Sequence, residues 1–75
     1  MATDQLKVSI GKEFKRIRIQ NHMTQTDVAV RFDANKSLIS AYENGRVNFT
    51  LDVIVKFCKI FDLNANDFIN RFDLR

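Results

Sequence analysis

Lys36, Ser37, Ser40 and Ala41 are the residues of this sequence best placed to act on another molecule, and their chemistry is hydrogen bonding rather than bond breaking. At 100° per residue from Lys36 they fall between about 0° and 140°, whereas Leu38, Tyr42 and Ile39 fall at about 200°, 240° and 300°. The result is a helix with one apolar side and one short, polar, unobstructed side. Base edges in a major groove are reached by such a face, through small polar groups and one or two long donors. The solvated side of an ordinary helix pair has the same pattern, so the face needs context.

Bond-breaking chemistry has little support. His22 is the only histidine and has no second metal ligand or nucleophile at a telling distance. Cys58 is the only cysteine, which excludes an intrachain disulfide and cysteine-based zinc spacing; in an apolar helix it reads as a buried, inert thiol. There is no glycine-rich phosphate loop and no convincing carboxylate pair. No catalytic residue, metal, cofactor or small-molecule ligand is expected.

The elements that must hold Lys36 to Ala41 in place are helices. The first runs from about Asp4 to Gln20, with Leu6, Ile10, Phe14 and Ile17 spaced as a core stripe, and Asn21-His22 closes it. Gly11 inside it costs of order 1 kcal/mol of helix propensity relative to alanine. The second starts at a Thr24-Gln-Thr-Asp27 capping box and ends near Phe32, with Asp33 in the turn. The third starts at an Asn35 cap and stops at Asn44-Gly45, glycine being suited to a left-handed helix end. The fourth runs from a Thr50 cap to about Phe61 and the fifth from an Asn64 cap to about Phe72.

The fourth helix carries more apolar surface than one core contact needs. Leu51, Ile54, Cys58 and Phe61 form a stripe expected to face the core, and Val53, Phe57 and Ile60 form a neighbouring arc. The fifth helix, with Phe68, Ile69 and Phe72, covers part of that arc. A second copy of the chain would cover the rest, so Val53, Phe57, Ile60, Phe68 and Phe72 are the expected dimer interface.

Length and composition agree with this layout. The 75 residues suit one domain, read as 1–75, with the helix pair at about 24–45 and an association segment at about 50–73. A core this small is marginal, which makes dimerisation a natural source of burial. With 45% hydrophobic residues, seven Phe and no Pro, the chain is a helical bundle former rather than a disordered segment. No apolar run is long enough to span a bilayer and no signal-peptide pattern opens the chain, so a cytoplasmic protein without membrane partners is expected. The net charge of +3 lies wholly in residues 1–46, and residues 47–75 sum to zero. A nucleic-acid surface is thereby favoured in the first part and a neutral packing surface in the second.

Taken in series, these segments resemble the Cro/repressor-type (XRE-like) helix-turn-helix family, typified by the DNA-binding domains of phage lambda and 434 repressors. The resemblance is carried by Ile10-Gly-Lys-Glu-Phe-Lys-Arg-Ile-Arg18, Thr24-Gln-Thr-Asp-Val-Ala29, Asn35-Lys-Ser-Leu-Ile-Ser-Ala-Tyr-Glu43-Asn-Gly45, Thr50-Leu-Asp-Val-Ile54 and Phe61-Asp-Leu63. It implies an all-α, five-helix, lambda-repressor-like bundle whose third helix reads double-stranded DNA, usually as a homodimer. Lys36, Ser37 and Ala41, with Ser40 alongside, match positions that face bases. Lys36 could donate to guanine O6 or N7, and Ala41 could touch only a thymine methyl. Gln25 matches a residue that grips a phosphate at the start of the second helix. Asn35, Asn44 and Arg46 match further backbone contacts. Arg18 and Glu43 match a structural ion pair that ties the first helix to the third.

Two departures stand out. His22 and Asp33 occupy positions where the family often has glycine, and Phe49 stands where it often has proline. Histidine and aspartate tolerate left-handed geometry, and a phenylalanine can plug the loop. The expected function is sequence-specific transcriptional regulation at a palindromic operator. The rival is a protein-binding helical module that uses the fourth and fifth helices without reading DNA; such a module has no need of the small polar face.

Overall fold

A computed structural model describes residues 2–72, with side chains from residue 5 onward; Asp73, the last residue of the expected association segment, lies outside the described residues. All regular structure among the described residues is helical: α1 Ala2–Gln20, α2 Gln25–Phe32, α3 Lys36–Glu43, α4 Leu51–Ile60 and α5 Ala65–Arg71. The all-α, five-helix expectation holds. α3 packs on α1 and α2, α4 packs on α2, and α5 packs on α4.

Local chemistry starts each of the four later helices. Thr24 Oγ1 accepts from Asp27 N at 3.0 Å while Thr24 N donates to Asp27 Oδ2 at 2.8 Å, completing the capping box. Asn35, Thr50 and Asn64 accept from the backbone N–H three residues on. Each cap contributes about 1 kcal/mol. In the first of these caps, the Thr24 N–H foremost and then the Thr24 side chain hold the Asp27 carboxyl below its usual pKa.

Four helix ends close by one device. Met23, Ala34, Arg46 and Leu63 each send an N–H back to the carbonyl five residues earlier, at 3.1, 2.9, 3.0 and 2.8 Å. Each closure needs a left-handed residue, supplied by His22, Asp33, Gly45 and Asp62 with φ of 58°, 57°, 68° and 55°. The substitution of His22 and Asp33 for glycine therefore leaves the turns intact. The left-handed Asp62 had no counterpart in the sequence reading.

Phe14 is the centre of the core. Its ring stacks on Phe57 with centroids 3.7 Å apart, meets Phe49 edge-on at 4.9 Å and lies 5.8 Å from Phe68. Ile10, Ile17, Val28, Ala29, Phe32, Ile39, Ile54 and Cys58 complete the buried cluster. Phe49 does plug the loop, for it also stacks on Tyr42 at 5.1 Å. Burial pushes the Cys58 thiol up, away from the reactive thiolate.

The rotation of α4 differs from the sequence reading. Phe57 and Phe68, expected at a dimer interface, are only 2% and 1% exposed within a single protomer, so neither offers surface to a second copy. Leu51, expected in the core stripe, is 55% exposed. The stack of Phe57 on Phe14 sets this rotation: a large ring with a partner across the core outweighs an aliphatic side chain at the helix start. Val53, Ile60 and Phe72 are half-buried and remain at the surface of α4 and α5.

Candidate nucleic-acid interface

α3 is short and sits with Ile39 in the core, Tyr42 against Phe49, and the opposite side open. On that open side Lys36, Ser37, Ser40 and Ala41 line one shallow depression, with Gln25 from α2 and Arg46 from the following loop at its margins. Six residues expected to meet DNA thus share one concave surface, although they come from three segments. Lys36, Ser37 and Arg46 are exposed, and Ser40, Ala41 and Gln25 are half-buried. Leu38 sits on another side of α3, in a concavity with Phe32, Tyr42, Asp52, Val53 and Lys56.

The other two expected contacts are partly engaged within the protein. Asn35 Oδ1 caps α3 by accepting from Leu38 N at 2.8 Å, and the cap does not use its amide nitrogen. Asn44 Nδ2 turns back onto α3, donating to the Ser40 carbonyl at 2.8 Å and to Ser40 Oγ at 3.3 Å. Gln25 and Thr26 open α2, and the backbone N–H groups of a helix's first turn have no acceptor within the helix, the usual arrangement for receiving an anion.

Beneath the depression lies an ion pair. Arg18 Nε donates to Glu43 Oε2 at 2.6 Å and Arg18 Nη2 to Glu43 Oε1 at 3.0 Å, a two-pronged contact between α1 and the end of α3. The two side chains are 11% and 4% exposed. Arg18 Nη1 also donates to the Met23 carbonyl at 2.9 Å, ahead of α2, and Gln25 Nε2 donates to Glu43 Oε1 at 3.1 Å. Every side of this buried pair is hydrogen-bonded, which is the condition for burying charge without a large penalty. The bond to Gln25 places a residue of the depression in direct contact with the ion pair.

Three supporting contacts have no signature in the sequence. Gly11 lets α1 approach α3 so closely that a Cβ there would stand 2.4 Å from the Tyr42 carbonyl oxygen. Lys56 of α4 donates to the Phe32 carbonyl at 2.6 Å, closing the end of α2, and its ammonium stands 5.2 Å from the Phe32 ring centre. Glu13 joins α1 to α5 through Arg71 and also pairs with Arg16. Those bonds, the one to Arg16 foremost, draw the Glu13 pKa down against its partial burial. Each of these contacts joins residues from separate helices, except the Glu13–Arg16 bond one turn apart, so periodicity within one helix could not find them.

Among the described residues no group of three or more histidine, cysteine, aspartate or glutamate side chains converges as a metal site would, and no helix is long and apolar enough to cross a membrane. Residues 11–74 match the family model of a helix-turn-helix domain. No curated protein matches the chain in sequence. Among solved structures it is similar to the restriction-modification controller protein C.AhdI from Aeromonas hydrophila, with a TM-score of 0.73 and 22% identity, over 79% of this chain and 86% of that one.

Proposed function

This chain belongs to the helix-turn-helix domain family, of the Cro/repressor type; from that premise we propose that it is a DNA-binding regulator rather than an enzyme, acting as a homodimer that reads a palindromic operator through α3. The observation that carries this reading is the single depression lined by Lys36, Ser37, Ser40 and Ala41 and flanked by Gln25 and Arg46. In it, a long donor, two hydroxyls and a methyl group face outward together, with phosphate-binding groups at the edges.

The roles divide by chemistry. Lys36 donates to the acceptor edge of guanine, Ser37 and Ser40 supply adaptable hydrogen bonds, and Ala41 packs on a thymine methyl. Gln25, Arg46, Asn35 and Asn44 hold the sugar-phosphate backbone and fix the register of α3. A second copy associates through α4 and α5, where Val53, Ile60 and Phe72 remain at the surface once Phe57 and Phe68 are assigned to the core. Two α3 helices related by a two-fold then meet half-sites about one helical turn apart. The protein works where the DNA is, in the cytoplasm, and occupancy of its operator blocks or recruits polymerase.

Selection of bound duplexes from a random pool at about 0.15 M salt, followed by sequencing, tests this. The expected result is an enriched palindrome with half-sites about 10 base pairs apart. A cooperatively folded protein that enriches no sequence overturns the reading and favours a module that binds another protein.

A further inference from the structure

We infer that Glu43 is the positioning residue for Gln25, fixing which edge of the Gln25 amide is offered to a DNA phosphate; the inference rests on the operator-binding reading above. Glu43 lies beneath the interface, and the bond from Gln25 Nε2 to its Oε1, at 3.1 Å, joins the ion pair to the depression.

Acceptor counting fixes the orientation. An ionised carboxylate has lone pairs and no proton, so the Gln25 amide can meet Glu43 only through its nitrogen. The usual ambiguity between an amide and its flipped form is removed by that chemistry. One N–H is then spent on Glu43, and the second N–H and the carbonyl oxygen remain. The second N–H is the group able to bind a phosphate oxygen; the carbonyl oxygen would repel one. Arg18 locks the carboxylate that imposes this choice, through the 2.6 and 3.0 Å bonds that hold both of its oxygens.

The same unit reaches the start of α2 from behind. Arg18 Nη1 holds the Met23 carbonyl at 2.9 Å, one residue ahead of the Thr24 cap, so α1, the entry to α2 and the end of α3 are joined through one buried guanidinium. Gln25 is the first residue of α2, at the helix start where the backbone N–H groups not taken by the capping box favour an anion. A contact of this kind recognises the phosphate backbone and carries no sequence preference. Glu43 therefore raises affinity for every duplex alike, by keeping the Gln25 donor in its binding orientation before DNA arrives.

The test compares Gln25→Ala, the paired replacement Arg18→Met with Glu43→Leu, and all three changes together. Exchanging both charges for apolar groups of similar volume preserves the fold while removing the tether. In DNA-free protein, the side-chain amide resonances of Gln25 are expected to shift toward those of a solvent-exposed glutamine in the paired replacement. Affinity for the selected duplex is expected to fall about tenfold to a hundredfold in Gln25→Ala, the range for a hydrogen bond to a charged group. The paired replacement is expected to lose a similar factor, and the triple variant about the same factor again rather than their product. Replacing the contacted phosphate by a methylphosphonate erases these differences.

Unchanged Gln25 amide resonances in the paired replacement, or losses that multiply, overturn the inference while leaving DNA binding intact. Amide resonances that shift in the paired replacement, with a wild type that binds no duplex, overturn the operator reading and the phosphate role with it. Should the paired replacement melt without cooperativity, Glu43→Gln serves instead: it keeps an acceptor oxygen but lets the Gln25 amide turn over. Gln25 resonances unchanged in that variant likewise overturn the inference.

Discussion

Gly11 of α1 lies so close beneath Tyr42 of α3 that a Cβ on it would stand 2.4 Å from the Tyr42 carbonyl oxygen and 2.8 Å from that of Glu43. Both obstacles are backbone atoms of α3, so they can yield only if the helix moves. Gly11→Ala gains about 1 kcal/mol of helix propensity and loses more than that to overpacking, for a net cost of about 2 kcal/mol. A lower denaturant midpoint is the expected result. A midpoint at or above that of the wild type would show that α1 and α3 are not held at this spacing.

The Arg18–Glu43 pair predicts an asymmetry between breaking and replacing a buried charge pair. Glu43→Ala strands the Arg18 guanidinium, nearly buried, and is expected to cost about 3–5 kcal/mol. Arg18→Met combined with Glu43→Leu leaves no charge stranded and is expected to melt near the wild type. Equal destabilisation by the two variants would mean that the contact is a packing interaction with incidental charge.

How much could be seen from the amino acids alone depended on distance along the chain. The caps at Thr24, Asn35, Thr50 and Asn64 were legible because cap and partner lie three residues apart. The outward face of α3 was legible because eight residues of helix have only one way to place Ile39 inside and Ser37 outside. The rotation of α4 was not, because it is decided by the Phe14–Phe57 stack between separate helices. Gly11 looked like a propensity defect, since nothing near it in sequence announces that Tyr42 lies above it. The tether from Glu43 to Gln25 was likewise hidden: family resemblance pairs Glu43 with Arg18, and the additional bond to Gln25 depends on α2 and α3 having docked.

Acid should weaken the start of α2. The folded pKa of Asp27 is lowered, chiefly by the Thr24 N–H, so the native state releases this proton at a lower pH than the unfolded chain does. Its stabilisation is complete above the unfolded carboxylate value of about 3.9 and is lost as pH falls through the lowered folded value. Glu13, also lowered, adds a contribution of the same sign. Asp27→Asn is expected to flatten the acid limb of stability against pH. Parallel acid limbs for the variant and the wild type would remove Asp27 from the explanation.

Phe57 and Ile60 should separate folding from association. Phe57 is buried against Phe14, and Phe57→Ala is expected to cost about 3–5 kcal/mol of protomer stability. Ile60 is half-buried at the end of α4 and packs only partly on the core, so Ile60→Lys should cost less protomer stability than Phe57→Ala while shifting sedimentation from the proposed dimer toward monomer. An Ile60→Lys protein that sediments as the wild type does moves the association surface elsewhere on the protomer.

Lys36 and Arg46 face the same depression but should fail in different ways. Arg46 stands at its edge, and in the proposed interface its charge would neutralise a phosphate whatever the sequence. Arg46→Ala is therefore expected to weaken all duplexes by a similar factor and to reduce the slope of log affinity against log salt by about 0.9. Lys36 opens α3 on its outward face, and in the proposed interface a base edge would decide whether its donor is satisfied. Lys36→Ala should relax discrimination at one base position by a factor that corresponds to about 1–3 kcal/mol, and leave the other positions as they were. Selection from the same random pool with each variant reads both effects together. If Lys36→Ala and the wild type enrich identical sequences, Lys36 is a phosphate contact and base readout falls to Ser37, Ser40 and Ala41, which can discriminate only by hydroxyl and methyl contacts.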